Sequence, residues 1–196
     1  MGNRGEDIPN RRGFFRHAVT RVIGPIADYM ENLTARRPAS VLLRPPGAIE
    51  ESAFLQTCHR CEACVKACPA DAIYLLGRDA GEATGTPVID PDRSPCVVCD
   101  GLHCTHVCES GALAVLNAPS LIRMGTAEVY ETLCVRSGGE ECSLCVDRCP
   151  MGEDALYFLG DGPPMVKLDG CVGCGVCQHV CPTSPKAIVV KPNARR

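Results

Sequence analysis

All sixteen cysteines of this 196-residue chain fall into four quartets, so the chain has to fold around whatever those thiols hold. The first quartet is Cys58, Cys61, Cys64 and Cys68, and the last is Cys171, Cys174, Cys177 and Cys181. Both read C-x2-C-x2-C-x3-C followed by proline. Between them stand Cys96, Cys99, Cys104 and Cys108, spaced C-x2-C-x4-C-x3-C, and Cys134, Cys142, Cys145 and Cys149, spaced C-x7-C-x2-C-x3-C.

The first and last runs are those of a [4Fe-4S] cluster site. Two residues between thiolates let a short loop wrap one iron–sulfur cube, so that three sulfurs reach three irons while backbone N–H groups turn toward the inorganic sulfides. Three further residues, about one helical turn, carry the fourth cysteine away, toward the neighbouring cube in two-cluster ferredoxins. The following proline ends that turn because it has no N–H to donate.

Two other uses of cysteine fit less well. A disulfide framework suits a small secreted chain of this cysteine content, but thiols packed three residues apart in four repeats are poorly placed to pair with one another. Structural zinc sites use two C-x2-C knuckles with a gap between them, and need neither a third cysteine at the same spacing nor a proline after the fourth.

Composition agrees with a core built on cofactors. Four Phe, four Tyr and no Trp leave few of the large aromatics that dominate ordinary cores. Nineteen Gly and sixteen Pro imply many turns and short elements, and folding is expected to depend on metal. The formal charge is −3 with cysteines counted neutral. Each oxidised cube with its four thiolates adds about −2, which brings a four-cube protein to about −11. An acidic carrier of this kind is expected not to bind nucleic acid, which needs a basic surface.

Residues 1–37 hold no cysteine and are the basic part, with seven Arg against Glu6, Asp7, Asp28 and Glu31. Phe15, Val19, Val22, Ile23, Ile26, Met30 and Leu33 recur at helical spacing, which predicts an amphipathic extension that Gly24-Pro25 kinks or splits. Arg11-Arg12 followed by Gly-Phe-Phe is similar to the start of a twin-arginine export signal. An export signal also needs 7 to 15 uninterrupted apolar residues, and His17, Arg21, Asp28 and Glu31 break this segment. The segment therefore reads as a retained docking helix or an ordinary surface helix, with the protein cytoplasmic; periplasmic export by the twin-arginine route is the alternative. No stretch is long and apolar enough for a transmembrane segment of its own.

Residues 38–57, with Pro38, Pro45 and Pro46, read as a Pro-rich extended strap, residues 58–190 as a polyferredoxin domain, and 191–196 as a C-terminal tail. First cysteines stand at 58, 96, 134 and 171, a fourfold repeat of 37 or 38 residues. Each quartet is followed by a short apolar run expected as a strand: 72–75, 112–115, 155–158 and 187–190. Residues 87–90 and 165–168 read as partner strands before the second and fourth quartets. The fold class expected is α+β: two pseudo-symmetric bacterial-type ferredoxin modules, each with two [4Fe-4S] clusters, behind a cysteine-free N-terminal helical extension.

Arg44-Pro45-Pro46-Gly47-Ala48-Ile49 before the first quartet, Gly85-Thr86-Pro87 before the second, Arg123-Met124-Gly125 before the third and the stretched C-x7-C spacing together resemble the NapG/MauM group of ferredoxin-type proteins. The quartets and the Arg-Arg-Gly start are also similar to NapF. The resemblance covers about residues 38–190 and implies electron transfer beside a larger redox system. NapG-like proteins are exported four-cluster partners of a membrane quinol-oxidising subunit that feeds periplasmic nitrate reductase, and NapF-like proteins stay cytoplasmic. Carried over residue by residue, the resemblance makes all sixteen cysteines ligands of four [4Fe-4S] clusters. Either quartets one and two exchange fourth ligands, as do three and four, or the order is nested, first with fourth and second with third. The x4 gap of quartet two resembles electron-transfer subunits of molybdenum oxidoreductases and favours nesting.

His59, His103, His106 and His179 lie inside the quartets, where four thiolates are already present, and read as surface or supporting residues. Residues 136–141, inserted between Cys134 and Cys142, read as a solvated loop, with a docking rim as the second reading. The chain has no P-loop, no G-x-G-x-x-G at a strand–helix junction and no nucleophile–base pair. The expected function is thus not an enzyme's but a relay of electrons between a donor and an oxidoreductase subunit or membrane-bound quinone-linked module. An assembly factor that helps to load a catalytic subunit's cofactor is the alternative.

Overall fold

The computed structural model describes residues 42–193, so the N-terminal extension expected over residues 1–37 lies outside the described residues. Every regular element is short. Helix α1 (Glu51–Thr57) precedes the first quartet, and α2 (Ala63–Lys66), α3 (His103–His106), α4 (Leu144–Asp147) and α5 (Val176–Val180) each carry the third cysteine of one quartet. These last four are the single turns that the x3 spacing requires.

Six strands pair as three antiparallel ribbons. Strand β1 (Ile73–Leu75) pairs with β2 (Pro87–Ile89), Tyr74 facing Val88, and β4 (Leu156–Phe158) pairs with β5 (Pro164–Val166), Tyr157 facing Met165. Strand β3 (Gly125–Val129) pairs with β6 (Ile188–Pro192), Ala127 facing Val190. The strands expected after quartets one, three and four are therefore present.

The run 112–115 forms no strand. It makes one bridge, Leu113 to Ala48, supported by hydrogen bonds from Ile49 N to Ala112 O (3.1 Å) and from Ala114 N to Gly47 O (2.7 Å). The ladder cannot lengthen, because Pro45 and Pro46 have no N–H to contribute on one side and α1 begins on the other. Even so, residues 47–114 and 125–192 follow one plan: the segment before the first quartet of each half pairs with the segment after its second.

The expected extended strap is also corrected over residues 51–57. The Glu50 side chain accepts hydrogen bonds from Ser52 N (3.0 Å) and Ala53 N (3.1 Å), which satisfies two of the open donors at a helix start and nucleates α1. The helix then buries Phe54 completely. Arg44, itself only 2% exposed, lies over the Phe54 ring at 4.7 Å. Its guanidinium donates to Glu51 Oε2 (3.0 Å), Thr86 Oγ1 (2.9 Å) and the Pro87 carbonyl (2.8 Å), tying α1 to β2. Arg44→Ala leaves those acceptors without a donor in the core. The expected loss is about 3 kcal/mol, the low end for breaking a buried pair because Glu51 is partly hydrated. It is read as a lower denaturant midpoint under anaerobic conditions, and an unchanged midpoint would refute it.

Buried Ile73, Ile89, Leu102, Leu113, Ile122 and Met124 share one core with Val172, Cys174 and Val190. A second core gathers Ala127, Leu156, Ala187 and Ile188 with Cys177 and Cys181. Thiols are part of both. Among the described residues no helix is long and apolar enough to cross a membrane.

Candidate metal centres

The sixteen cysteines are free thiols that converge on four chambers. Cys58, Cys61 and Cys64 line the first together with Cys108. Cys96, Cys99 and Cys104 line the second together with Cys68. Cys134, Cys142 and Cys145 line the third with Cys181, and Cys171, Cys174 and Cys177 line the fourth with Cys149. Every chamber thus takes three thiols from one quartet and the fourth thiol of the adjacent quartet. The chambers are alike in size.

This is the exchange order, and the nested order favoured by the x4 gap is not adopted. The extra residues of quartet two are absorbed where they stand, in a left-handed turn at Gly101 (φ +80°) and Leu102 (φ +40°) closed by a hydrogen bond from Leu102 N to Cys99 O (3.2 Å). They do not redirect Cys108. Helix α3 packs on α2, and α5 on α4, so each single-turn helix delivers its fourth cysteine to the partner chamber of the same half.

The loops between cysteines turn inward by the same left-handed device. Arg60 (φ +54°), Glu62 (φ +64°) and Val98 (φ +51°) adopt it without being glycine, a conformation costly enough to need support from the surrounding structure. Successive N–H groups in such a turn face one side and make a concave cradle for negative charge. Other N–H groups aim at the sulfurs: Ala72 N at Cys68 Sγ (3.3 Å), Leu113 N at Cys108 Sγ (3.3 Å) and Ala127 N at Cys171 Sγ (3.4 Å). Sequence reading did not single out these donors. For Ala72 and Leu113 the signal is the apolar run after each fourth cysteine, which also places Leu113, Leu156 and Ile188 in the chamber walls; Ala127, in β3, lies outside those runs.

Crowding and burial of the thiols shift their ionisation. Burial, and then the negative charge of Cys58 and Cys108, push the Cys64 thiol up to about 11. Burial pushes Cys96, Cys104 and Cys174 up to about 12, with neighbouring thiolates adding to the effect. Burial and neighbouring thiolates likewise raise Cys145 to about 11 and move Cys177 further up. Cys181 moves the other way: burial opposes ionisation there, but hydrogen bonds from the Thr183 side chain and backbone and from the Ala187 and Ile188 backbone outweigh it. Four thiolates facing one small apolar space are tolerable only around a cationic metal centre. Four thiols around each chamber fit a [4Fe-4S] cube, with one sulfur per iron corner.

None of the four histidines lines a chamber with a cysteine set except His59, at the mouth of the first. His179 Nδ1 lies 2.9 Å from the Pro91 carbonyl, so the Nδ1–H donates there. The insertion after Cys134 begins with a 3-10 turn, Val135–Gly138, and it is anchored rather than simply solvated. Arg136 lies over the Phe158 ring at 4.0 Å and donates to Gly162 O (2.9 Å) and Cys142 O (3.3 Å). Residues 138–141 are exposed beyond it and border an open groove beside the third chamber.

A family model described as a 4Fe-4S dicluster domain matches residues 57–112. Over 203 residues the chain is 36% identical to the ferredoxin-type protein NapG of Escherichia coli (strain K12), covering 93% of this chain and 85% of the relative. It is 35% identical over 199 residues to the methylamine utilization ferredoxin-type protein MauM of Methylophilus methylotrophus, covering 94% and 87%. The ferredoxin-type protein NapF of E. coli is 33% identical over 159 residues, covering 78% and 88%.

Proposed function

The chain belongs to the NapG/MauM family of ferredoxin-type iron–sulfur proteins, and from that premise we propose that it relays electrons through four [4Fe-4S] clusters held by all sixteen cysteines. The observation that carries the count is the set of four chambers, each lined by four thiols. The repeated pairing plan of residues 47–114 and 125–192 supports two dicluster modules of α+β build. A bound cube takes up and gives back one electron without a change in its ligands.

The chain's own residues hold, insulate and tune. Sulfurs fix each cube, Leu113, Ile73, Ile188 and Leu156 keep water from the first to fourth in turn, and the N–H groups of Ala72, Leu113 and Ala127 stabilise negative charge on the sulfurs, which raises the reduction potential. No substrate is transformed in this reading. The partners it calls for are a redox protein or oxidoreductase subunit and, on one side, a membrane-bound quinone-linked module.

Anaerobically prepared protein is expected to contain about sixteen iron and sixteen labile sulfide per chain, with broad visible absorption that bleaches on reduction. Zinc in their place would overturn the reading. Clusters that reduce and reoxidise at the partner's turnover rate support a relay, whereas clusters silent under turnover would support an assembly factor.

The interrupted apolar segment of residues 1–37 supports a cytoplasmic position. A folded reporter fused behind residues 1–50 is expected to remain in the cytoplasm, and twin-arginine-dependent export of that fusion would assign the protein to the periplasm.

A further inference from the structure

The two halves share a core, and at one point their chamber loops meet directly. Cys96 N, in the second chamber's loop, donates to the carbonyl of Cys174, in the fourth chamber's loop, at 3.0 Å. Around this bond Met124 N donates to Val172 O (3.2 Å), and His179 holds the Pro91 carbonyl. The contact leaves no spare room. A Cβ on Gly175 would fall 2.6 Å from the Pro91 ring of the other half, and one on Gly173 would fall 2.3 Å from Gly125 N within its own half. Glycine is required at both, since each also has a left-handed φ, +88° and +73°.

Burial follows the same geometry. Cys104 of the second chamber, Cys174 and Cys177 of the fourth and Cys181 of the third are buried, whereas the first chamber has no buried cysteine and contains the exposed Cys61. The third chamber shares Cys142 and Leu144 with the open groove beside it. The exchanged Cys68 and Cys108 join chambers one and two, and the exchanged Cys149 and Cys181 join chambers four and three. The Cys96–Cys174 bond joins chambers two and four.

We propose that the four chambers form a single file in the order first, second, fourth, third, with the Cys96–Cys174 backbone bond as the junction and the first and third chambers as its two ends. The file thus departs from the order of the motifs along the chain. An electron taken from a one-electron donor at one end reduces the cube there, and its passage reoxidises that cube as it reduces the next. No atom or proton has to move, and the acceptor at the far end gains what the donor lost. Partners would meet the protein near Cys61 and near Cys142, on different halves.

This order rests on four-cluster occupancy, and the test separates the two. In dithionite-reduced protein, Cys61→Ser with Cys142→Ser is expected to keep two cubes, in chambers two and four, whose EPR spectra retain spin–spin splitting. Cys99→Ser with Cys177→Ser is expected to keep the cubes of chambers one and three, with that splitting lost. The opposite pattern, or splitting in both variants, overturns the order. Unaltered protein with fewer than four cubes overturns the occupancy instead. Should a double variant not hold its two cubes, the unaltered reduced protein decides: a soluble dysprosium chelate is expected to speed the relaxation of two cluster spins and spare two. Equal enhancement of all four overturns the order.

Discussion

Protein stripped of iron by a chelator under anaerobic, reducing conditions is expected to lose its tertiary structure. No element described here is stable alone: the helices run to four to seven residues and the strands to three to five. Isolated helices below about 12 residues are marginal in water, as are two-stranded ribbons. The large apolar side chains that could replace metal as scaffold are few, with Phe54 the one fully buried aromatic among the described residues. Both cores instead run into chamber walls lined with thiols. Removing the cubes leaves those walls without contacts on one side, and metal-binding free energy here is folding free energy. Protease cleavage within residues 42–193 is therefore expected to speed up by about 100-fold or more, with loss of near-ultraviolet circular dichroism from the tyrosines. The factor corresponds to the loss of about 3 kcal/mol of protection when cleavage follows the open population. A stripped protein that still melts cooperatively and resists protease would show that the polypeptide carries the fold unaided.

Cys108→Ser is expected to cost about a quarter of the iron, and to cost it from a quartet other than its own. Cys108 faces Cys58, Cys61 and Cys64 across the first chamber, so its loss opens that chamber while Cys96, Cys99 and Cys104 keep Cys68 as their fourth partner. Hydrogen exchange locates the damage. Protection is expected to fall over residues 54–67 and at the Leu113–Ala48 bridge, and to persist over 134–146. Under the nested order Cys108 would complete the set of Cys134, Cys142 and Cys145, and protection would fall over 134–146 instead. That second pattern would refute the exchange. The Ser oxygen is a poor substitute at an iron site that selects soft thiolate ligands, so retention of all the iron would remove Cys108 from the ligand set.

Much of the site is written in local spacing, and so are the elements that spacing controls. Three thiols two residues apart can wrap one cube whatever surrounds them, and three further residues make the turn seen in α2, α3, α4 and α5. The apolar runs at 73–75 and 87–89, separated by a Gly-containing connection, are a hairpin by the same local logic. Helix α1 escaped notice because two prolines shortly before it read as the start of an extended segment, while its signal was a single cap, Glu50, with Phe54 one turn on. Strand β3 escaped because its partner β6 lies about 60 residues away and neither strand is marked by a turn.

Local spacing alone sets the sixteen thiols, their grouping in quartets and the short turns that present them, since all of these depend on contacts a few residues apart. Only the tertiary structure decided which fourth cysteine closes which chamber, and which chambers become neighbours across the Cys96–Cys174 junction. The physical reason is that closing a longer loop costs only slightly more than closing a shorter one, so the interval between quartets cannot choose between exchange and nesting. The choice falls to packing: α3 against α2, α5 against α4, and Gly175 admitting Pro91 of the other half to a distance no side chain would allow.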